Sequence, residues 1–339
     1  MNKEFNYGKQ LSSDGATIAK VLATFSVVLT HSYKLFGYLN IDDQNFFYLR
    51  GFHAFAACGV PVFFLLSGYF LTFKDSFDYV KNLKKKVKSL FIPYVLFTVL
   101  YAVISCVGSL VLPKFFDDFR QFTAYDWLIN LTGIPFVDGP HFYGPLWFLR
   151  DLIVFNLLAF ILVPIVKKVP NYILIPLMLI LYFMPISQFI RYPIVFFVLG
   201  MCFGIKKKIP VISNIVVVIM VFLAAFILPI VFYTDWAWKI SVLLMFVSII
   251  NISGKCAENI KLSEFANKLI PYSFPVYLLH EYPMTSAMKL IALKHLSIGI
   301  NVAIFLATPF LIIALCILVS YLWKRFLPKV FAVFFGGRY

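Results

Sequence analysis

Charge is what this sequence has least of. Only 13% of its 339 residues are Asp, Glu, Lys or Arg, whereas 62% are hydrophobic; a soluble globular domain carries about twice that charge. A water-soluble fold of this length would have to hide more apolar surface than one core can hold. Soluble enzymes, nucleic-acid modules and secreted disulfide scaffolds are therefore poor readings. Acidic residues are the scarcer sign, 15 against 30 Lys and Arg, for a formal charge of +15. In so apolar a chain this excess reads as cytoplasmic loops following the positive-inside bias rather than as contact with nucleic acid. The cysteines (Cys58, Cys106, Cys202, Cys256 and Cys316) are five in number, with no CxxC pair, and four lie in apolar runs. They read as packing residues. HExxH, GxSxG, Walker and GxGxxG motifs are all missing, so metal and nucleotide hydrolysis are disfavoured and no metal is expected. Residues 1–15 are polar and lack a cleavage-like segment, so the first apolar run is expected to insert and stay.

What is there in abundance is grease: 40 Phe, 19 Tyr and a mean hydropathy of +0.89. A membrane-crossing helix needs about 20 mostly apolar residues. Candidate runs lie at 16–38, 51–73, 90–112, 146–166, 172–184, 192–205, 211–232, 236–251, 271–292 and 299–323. The fifth and sixth are short and flank Pro185, so a re-entrant pair is the alternative there. With the N-terminus inside, the inner segments hold 21 of the 30 basic residues, and no outer loop matches the run at 81–88. The expected fold is an all-α polytopic bundle of about ten transmembrane helices with both termini cytoplasmic. One membrane domain over 1–339 is expected, with no appended soluble domain. The longest outer connection, 113–145, carries Asp117, Asp118, Asp126 and Asp138, and loops of that length are often functional.

Ionisable groups inside such helices are functional candidates by default. Lys20 and His31 share the first span, eleven residues apart. That is about 16 Å along a helix and about 20° beyond three full turns, so both point to nearly one face. Taken singly, Lys20 could snorkel to headgroups and His31 could be a packed histidine; together they outline a polar track into the membrane. Ser67-Gly68 on the second span reads first as a close helix contact. Lys84, Lys85, Lys86 and Lys88 precede Phe91-Ile92-Pro93-Tyr94; the run either sets topology or receives phosphates from the cytosol. Trp147 and the adjacent Arg150-Asp151 open the fourth span. His280-Glu281 sits deep in the ninth, either as a structural pair or in a polar cavity. His53, His141 and His295 lie near outer boundaries without metal-like spacing.

In order and spacing these segments resemble the acyltransferase 3 family of integral membrane O-acyltransferases. Lys20 to His31 is similar to that family's Arg-x10-His motif in the first helix, with Lys where Arg is usual, so the charge survives but the planar fork does not. Pro61 to Tyr69 resembles its Phe-Phe-x-x-Ser-Gly segment, the run ending Phe91-Ile92-Pro93-Tyr94 its basic stretch before Pro-Tyr, and Leu146 to Leu149 and Tyr277 to His280 its later landmarks. The resemblance implies ten core spans in a bacterial plasma membrane. It also implies acyl transfer, most simply of acetyl from cytosolic acetyl-CoA, to a hydroxyl of a cell-surface glycan or lipid-linked sugar. His31 would be the base and Lys20 the second catalytic residue, holding the donor's phosphates or steadying the inner part of the path. Lys84, Lys85, Lys86 and Lys88 would hold the donor's phosphates, and Ser67, Trp147, Arg150, His280 and Glu281 would shape the acceptor pocket. A neutral imidazole suits removal of a hydroxyl proton near neutral pH; an acyl-histidine intermediate is the other chemical route. Membrane lipid, acyl-CoA and the sugar acceptor are the expected partners, and nucleic acid is not among them. The rival readings are a transporter or flippase of a small polar solute or lipid-linked sugar, and a membrane assembly or sensory component docking through 113–145.

Overall fold

The computed structural model describes residues 8–39, 49–74, 77–111, 123–132, 144–294 and 296–337. They are helical almost throughout. A two-residue strand, β1 (Gly8–Lys9), leads into α1 (Ser13–Ser32), which breaks at Tyr33 before the short α2 (Lys34–Tyr38). Next come α3 (Arg50–Ala57) and α4 (Gly59–Thr72), then α5 (Tyr79–Lys86), which passes through a π-helical turn at Val87–Phe91 into α6 (Ile92–Val111). The short α7 (Ala124–Thr132) precedes α8 (Leu146–Leu157) and α9 (Ala159–Lys168), which break at Leu158. Beyond α10 (Asn171–Phe183) and α11 (Gln188–Lys206), β2 (Ile209–Pro210) pairs antiparallel with β1. Asn214 caps α12 (Ile215–Val231) by accepting from the Val216 N–H, and Thr234 caps α13 (Asp235–Cys256) by accepting from Ala237. The chain closes with α14 (Ile260–Leu279), α15 (Glu281–Ala292), α16 (Ile298–Phe326) and α17 (Pro328–Phe334).

Among the described residues five stretches are long and apolar enough to cross a bilayer: Ser13–Tyr38, Arg50–Thr72, Tyr79–Val111, Asp235–Cys256 and Ile298–Phe326. A sixth is added if α8 and α9 count as one broken span. The expected ten runs differ from this for local reasons. α10 and α12 are apolar but only 13 and 17 residues long. The expected run 271–292 is two helices: α14 begins at Ile260, taking in Lys261, Glu264 and Lys268, and stops at Leu279, and α15 starts at Glu281.

The chain packs as two compact units that alternate along the sequence. The first comprises Met1–Thr30, Ile41–Asp78 and Ala159–Ser273. Its core is α4 against α11, which approach to backbone contact because glycines face one another. A Cβ on Gly68 would strike the Phe197 carbonyl, one on Gly200 the Leu65 carbonyl, and one on Gly204 the Tyr69 carbonyl. Small residues spaced by four are how helices approach closely without a hydrophobic driving force. The Thr72 hydroxyl, 2.8 Å from the Met201 carbonyl, joins the two helices directly.

The second unit comprises His31–Asn40, Tyr79–Leu158 and Phe274–Tyr339. Asn82 on α5 donates to Asn156 on α8 at 3.2 Å, and the Tyr79 hydroxyl donates to the Leu157 carbonyl. Phe97 of α6 packs on Phe334 and Phe335, with Trp323 against both. The chain turns back here through Gly336 and Gly337 at φ +72° and +65°, a region open to glycine at little cost. Gly336 lies so close to Ser89 that a Cβ would come within 2.7 Å of its Cα.

Candidate active site

The second unit gathers its polar groups around a break between α14 and α15. Pro283 has no N–H to give the Leu279 carbonyl, which favours the break seen at His280. Carbonyls just before the break find side-chain donors instead, as buried backbone acceptors must. The Tyr101 hydroxyl donates to the Leu278 carbonyl at 2.5 Å. His280 Nδ1 lies 2.9 Å from the Tyr277 carbonyl and 3.1 Å from that of Val276. Carbonyls only accept, so the ring proton belongs on Nδ1 and Nε2 carries the lone pair. That Nε2 is buried and has no hydrogen-bond partner among the described residues.

His31, at the end of α1, lies against this break. Its ring meets that of His280 edge to face, with centroids 4.8 Å apart and planes at 71°. His31 Nδ1 is 3.7 Å from Glu281 Oε1, an ion-pair distance too long for a hydrogen bond. The same oxygen accepts from Lys34 Nζ at 2.6 Å, and Lys34 also donates to the Thr285 hydroxyl at 3.1 Å. The neighbouring side holds backbone: a Cβ on Gly144 would fall 2.9 Å from Glu281 Oε2, so only glycine fits there while the carboxylate stays put. The Tyr277 hydroxyl donates to the Pro145 carbonyl, fixing the entrance to α8. Below, Tyr282 and Ser105 share a 2.5 Å hydroxyl contact, and Tyr282 packs on Tyr101.

Of the candidates read from sequence, His31, His280 and Glu281 come together in one cluster. Trp147 stands half-buried in the first turn of α8, two residues past Pro145. Arg150 and Asp151 are both buried and paired with each other at 2.8 Å. Lys84, Lys85 and Lys88 are exposed, and Lys86 is half-buried, around the junction of α5 and the π turn. Lys20 and Ser67 belong to the first unit. Lys20 stands over the Phe70 ring at 5.1 Å, and Ser67 is half-buried beside Gly68 in the α4–α11 contact. Asp117, Asp118, Asp138, His141 and His295 lie outside the described residues.

Lys34 and Thr285 are cluster members that were not among the sequence candidates. The signal was helical spacing: Lys34 is three residues past His31 and Thr285 four past Glu281, so each shares a face with a candidate already chosen.

The cluster therefore offers two imidazoles, one carboxylate already matched by an ammonium, and apolar walls. His31 is the accessible imidazole, with 20% of its side chain exposed, whereas His280 is buried. Such a site can accept a proton from a substrate hydroxyl and return it without a metal ligand set. A family model described as an acyltransferase domain matches residues 14–323. No curated protein and no solved structure matches the chain. With its long apolar helices this is a membrane protein, and since the match takes in nearly every residue from α1 to α16, the chain belongs to the acyltransferase 3 family.

Proposed function

We propose that this membrane acyltransferase moves an acyl group, acetyl in the simplest case, from cytosolic acyl-CoA to a hydroxyl of an extracytoplasmic sugar or polysaccharide, free or lipid-linked. In this reading it sits in a bacterial plasma membrane with ten crossings and both termini cytoplasmic, and the acyltransferase domain runs over 1–339. The observation that carries the reading is the placing of a partly accessible His31 beside Glu281 and His280 at the break between α14 and α15. Glu281 lies on the Nδ1 side of His31, which leaves Nε2 as the nitrogen for the substrate. At 3.7 Å the carboxylate is near enough to steady the charge the imidazole gains.

The step balances simply. The sugar oxygen attacks the thioester carbonyl carbon as its proton passes to His31; the C–S bond breaks, and the proton leaves with the coenzyme A thiolate. Lys84, Lys85, Lys86 and Lys88 are the groups proposed to hold the donor's phosphates. Lys20, Ser67, Trp147, Arg150, His280 and Glu281 remain proposals for positioning, with Arg150 acting through its fixed pair with Asp151. The transporter or flippase alternative is not favoured by the family.

The test is an NMR spectrum of purified surface glycans from strains with and without the gene. An O-acyl signal lost on deletion, restored by wild type and not by His31→Ala at equal membrane level, is the expected result. Full restoration by His31→Ala would remove His31 as the base.

A further inference from the structure

The first unit holds a second polar cluster that acyl transfer at His31 does not use. Among the described residues the buried Asp, Glu, Lys and Arg side chains are Arg150, Asp151, Arg191 and Lys239. Arg150 is neutralised by Asp151, and Lys239 by Asp235 at 2.7 Å. Arg191, only 4% exposed, has no carboxylate partner among the described residues. Its Nη1 reaches the Met184 carbonyl at a long 3.4 Å, and its guanidinium lies 5.3 and 5.4 Å from the ring centres of Tyr182 and Tyr192. Its Nε is buried and unpartnered.

Lys239 Nζ approaches the same Met184 carbonyl at 3.5 Å and that of Phe183 at 3.3 Å. Two cations thus converge on one carbonyl oxygen. Among the described residues the carboxylate beside them is that of Asp235, turned to Lys239 with 67% of its side chain exposed. A buried guanidinium with no counter-charge is among the costliest arrangements a protein can hold. The open group here is a donor, Arg191 Nε, buried without a partner among the described residues. Arg191 sits in the first turn of α11, where the helix dipole adds positive potential. Exposed Met184 and Trp236, the latter stacked on Phe183 at 5.2 Å, give the rim an apolar character.

We propose that Arg191 and Lys239, at the turn between α10 and α11, form a binding site for a phosphate oxyanion. A ligand that only accepts hydrogen bonds and carries negative charge answers each unmet feature of the cluster, and a guanidinium fork beside an ammonium suits phosphate geometry. A lipid headgroup and free phosphate share this chemistry.

The experiment uses the full chain, delipidated in dodecyl maltoside, titrated separately with dioctanoyl phosphatidylglycerol, with inorganic phosphate and with phosphate-free dioctanoylglycerol. The readout is the midpoint of thermal unfolding, which rises as a ligand binds the folded state. Wild type should show a saturable rise with phosphatidylglycerol, with inorganic phosphate, or with both, and none with dioctanoylglycerol. A rise with the lipid alone assigns a headgroup, and a rise with inorganic phosphate assigns the free anion. Arg191→Gln should weaken the apparent affinity by about tenfold or more and Arg191→Lys by less, as loss of charge-assisted bonds predicts. An equal rise in wild type and Arg191→Gln, or no phosphate-dependent rise in wild type, overturns the proposal. If Arg191→Gln is not recovered folded, Arg191→Lys carries the comparison, and an affinity equal to wild type overturns it.

Discussion

The Glu281 carboxylate is the charge around which the His31 cluster is built, and Lys34 sets where it stands. Their nitrogen and oxygen are 2.6 Å apart, with side chains 34% and 13% exposed respectively. At that separation the attraction is about 6 kcal/mol for an effective dielectric of about 20, and about 3 kcal/mol for about 40. The exposure of Lys34 favours the lower figure, and the dehydration of Glu281 cancels part of it. Removing either partner strands the other, so Lys34→Met and Glu281→Gln should each destabilise the protein by about 1–3 kcal/mol. The double variant strands neither charge and should cost less than the two together, with a coupling of about 1–2 kcal/mol. Unfolding of the four proteins in detergent measures this. Acyl transfer in membranes should fall by about tenfold or more in Lys34→Met, as the carboxylate loses its anchor. Single-variant costs that add to within about 0.5 kcal/mol would refute the pairing as the device that holds Glu281.

Gly204→Val should cost about 2–4 kcal/mol, because its side chain would meet the Tyr69 carbonyl and Thr72 and force α4 from α11. Gly254→Ala, with nothing within 4 Å of the added carbon, should cost nothing in the same unfolding assay, and a comparable loss would discredit the clash. Pro283→Ala supplies the missing donor for the Leu279 carbonyl. Stability should hold or rise while acyl transfer drops about tenfold as the break heals; undiminished transfer would mean that Pro283 does not set the site. Replacing Lys84, Lys85 and Lys86 together by Gln should raise the KM for acyl-CoA without moving the protein from the membrane, and an unchanged KM would end that assignment.

Membrane residence and helical class could be read from composition alone, because a chain so poor in charge has no other way to satisfy its surface. The family could be read from the order of short motifs around His31, Ser67, the Lys84–Lys88 run and His280. Helix ends were harder. An apolar run records how greasy a stretch is but not where its carbonyls lose their donors, so 271–292 read as one span although the helix breaks at His280. The convergence of His31 on Glu281 was not legible either, since it joins residues 250 positions apart. Lys34 and Thr285 followed from helical spacing once those anchors were chosen. The Gly200-to-Gly204 spacing that seats α11 on α4 was present in the sequence, but only the facing Gly68 gave a hint of it.

The way His280 is held bears on how a bundle with histidines inside it keeps from leaking protons. A side chain passes protons along a wire by taking one on one ring nitrogen and releasing another from the second. Here Nδ1 faces two carbonyls, which can receive a hydrogen bond but cannot carry its proton onward. A proton that reaches Nε2 can leave only by the way it came. His280 is thus placed as a terminus for protons rather than a stepping stone, and in the proposed reaction a proton taken up by His31 would have no onward path through its neighbour.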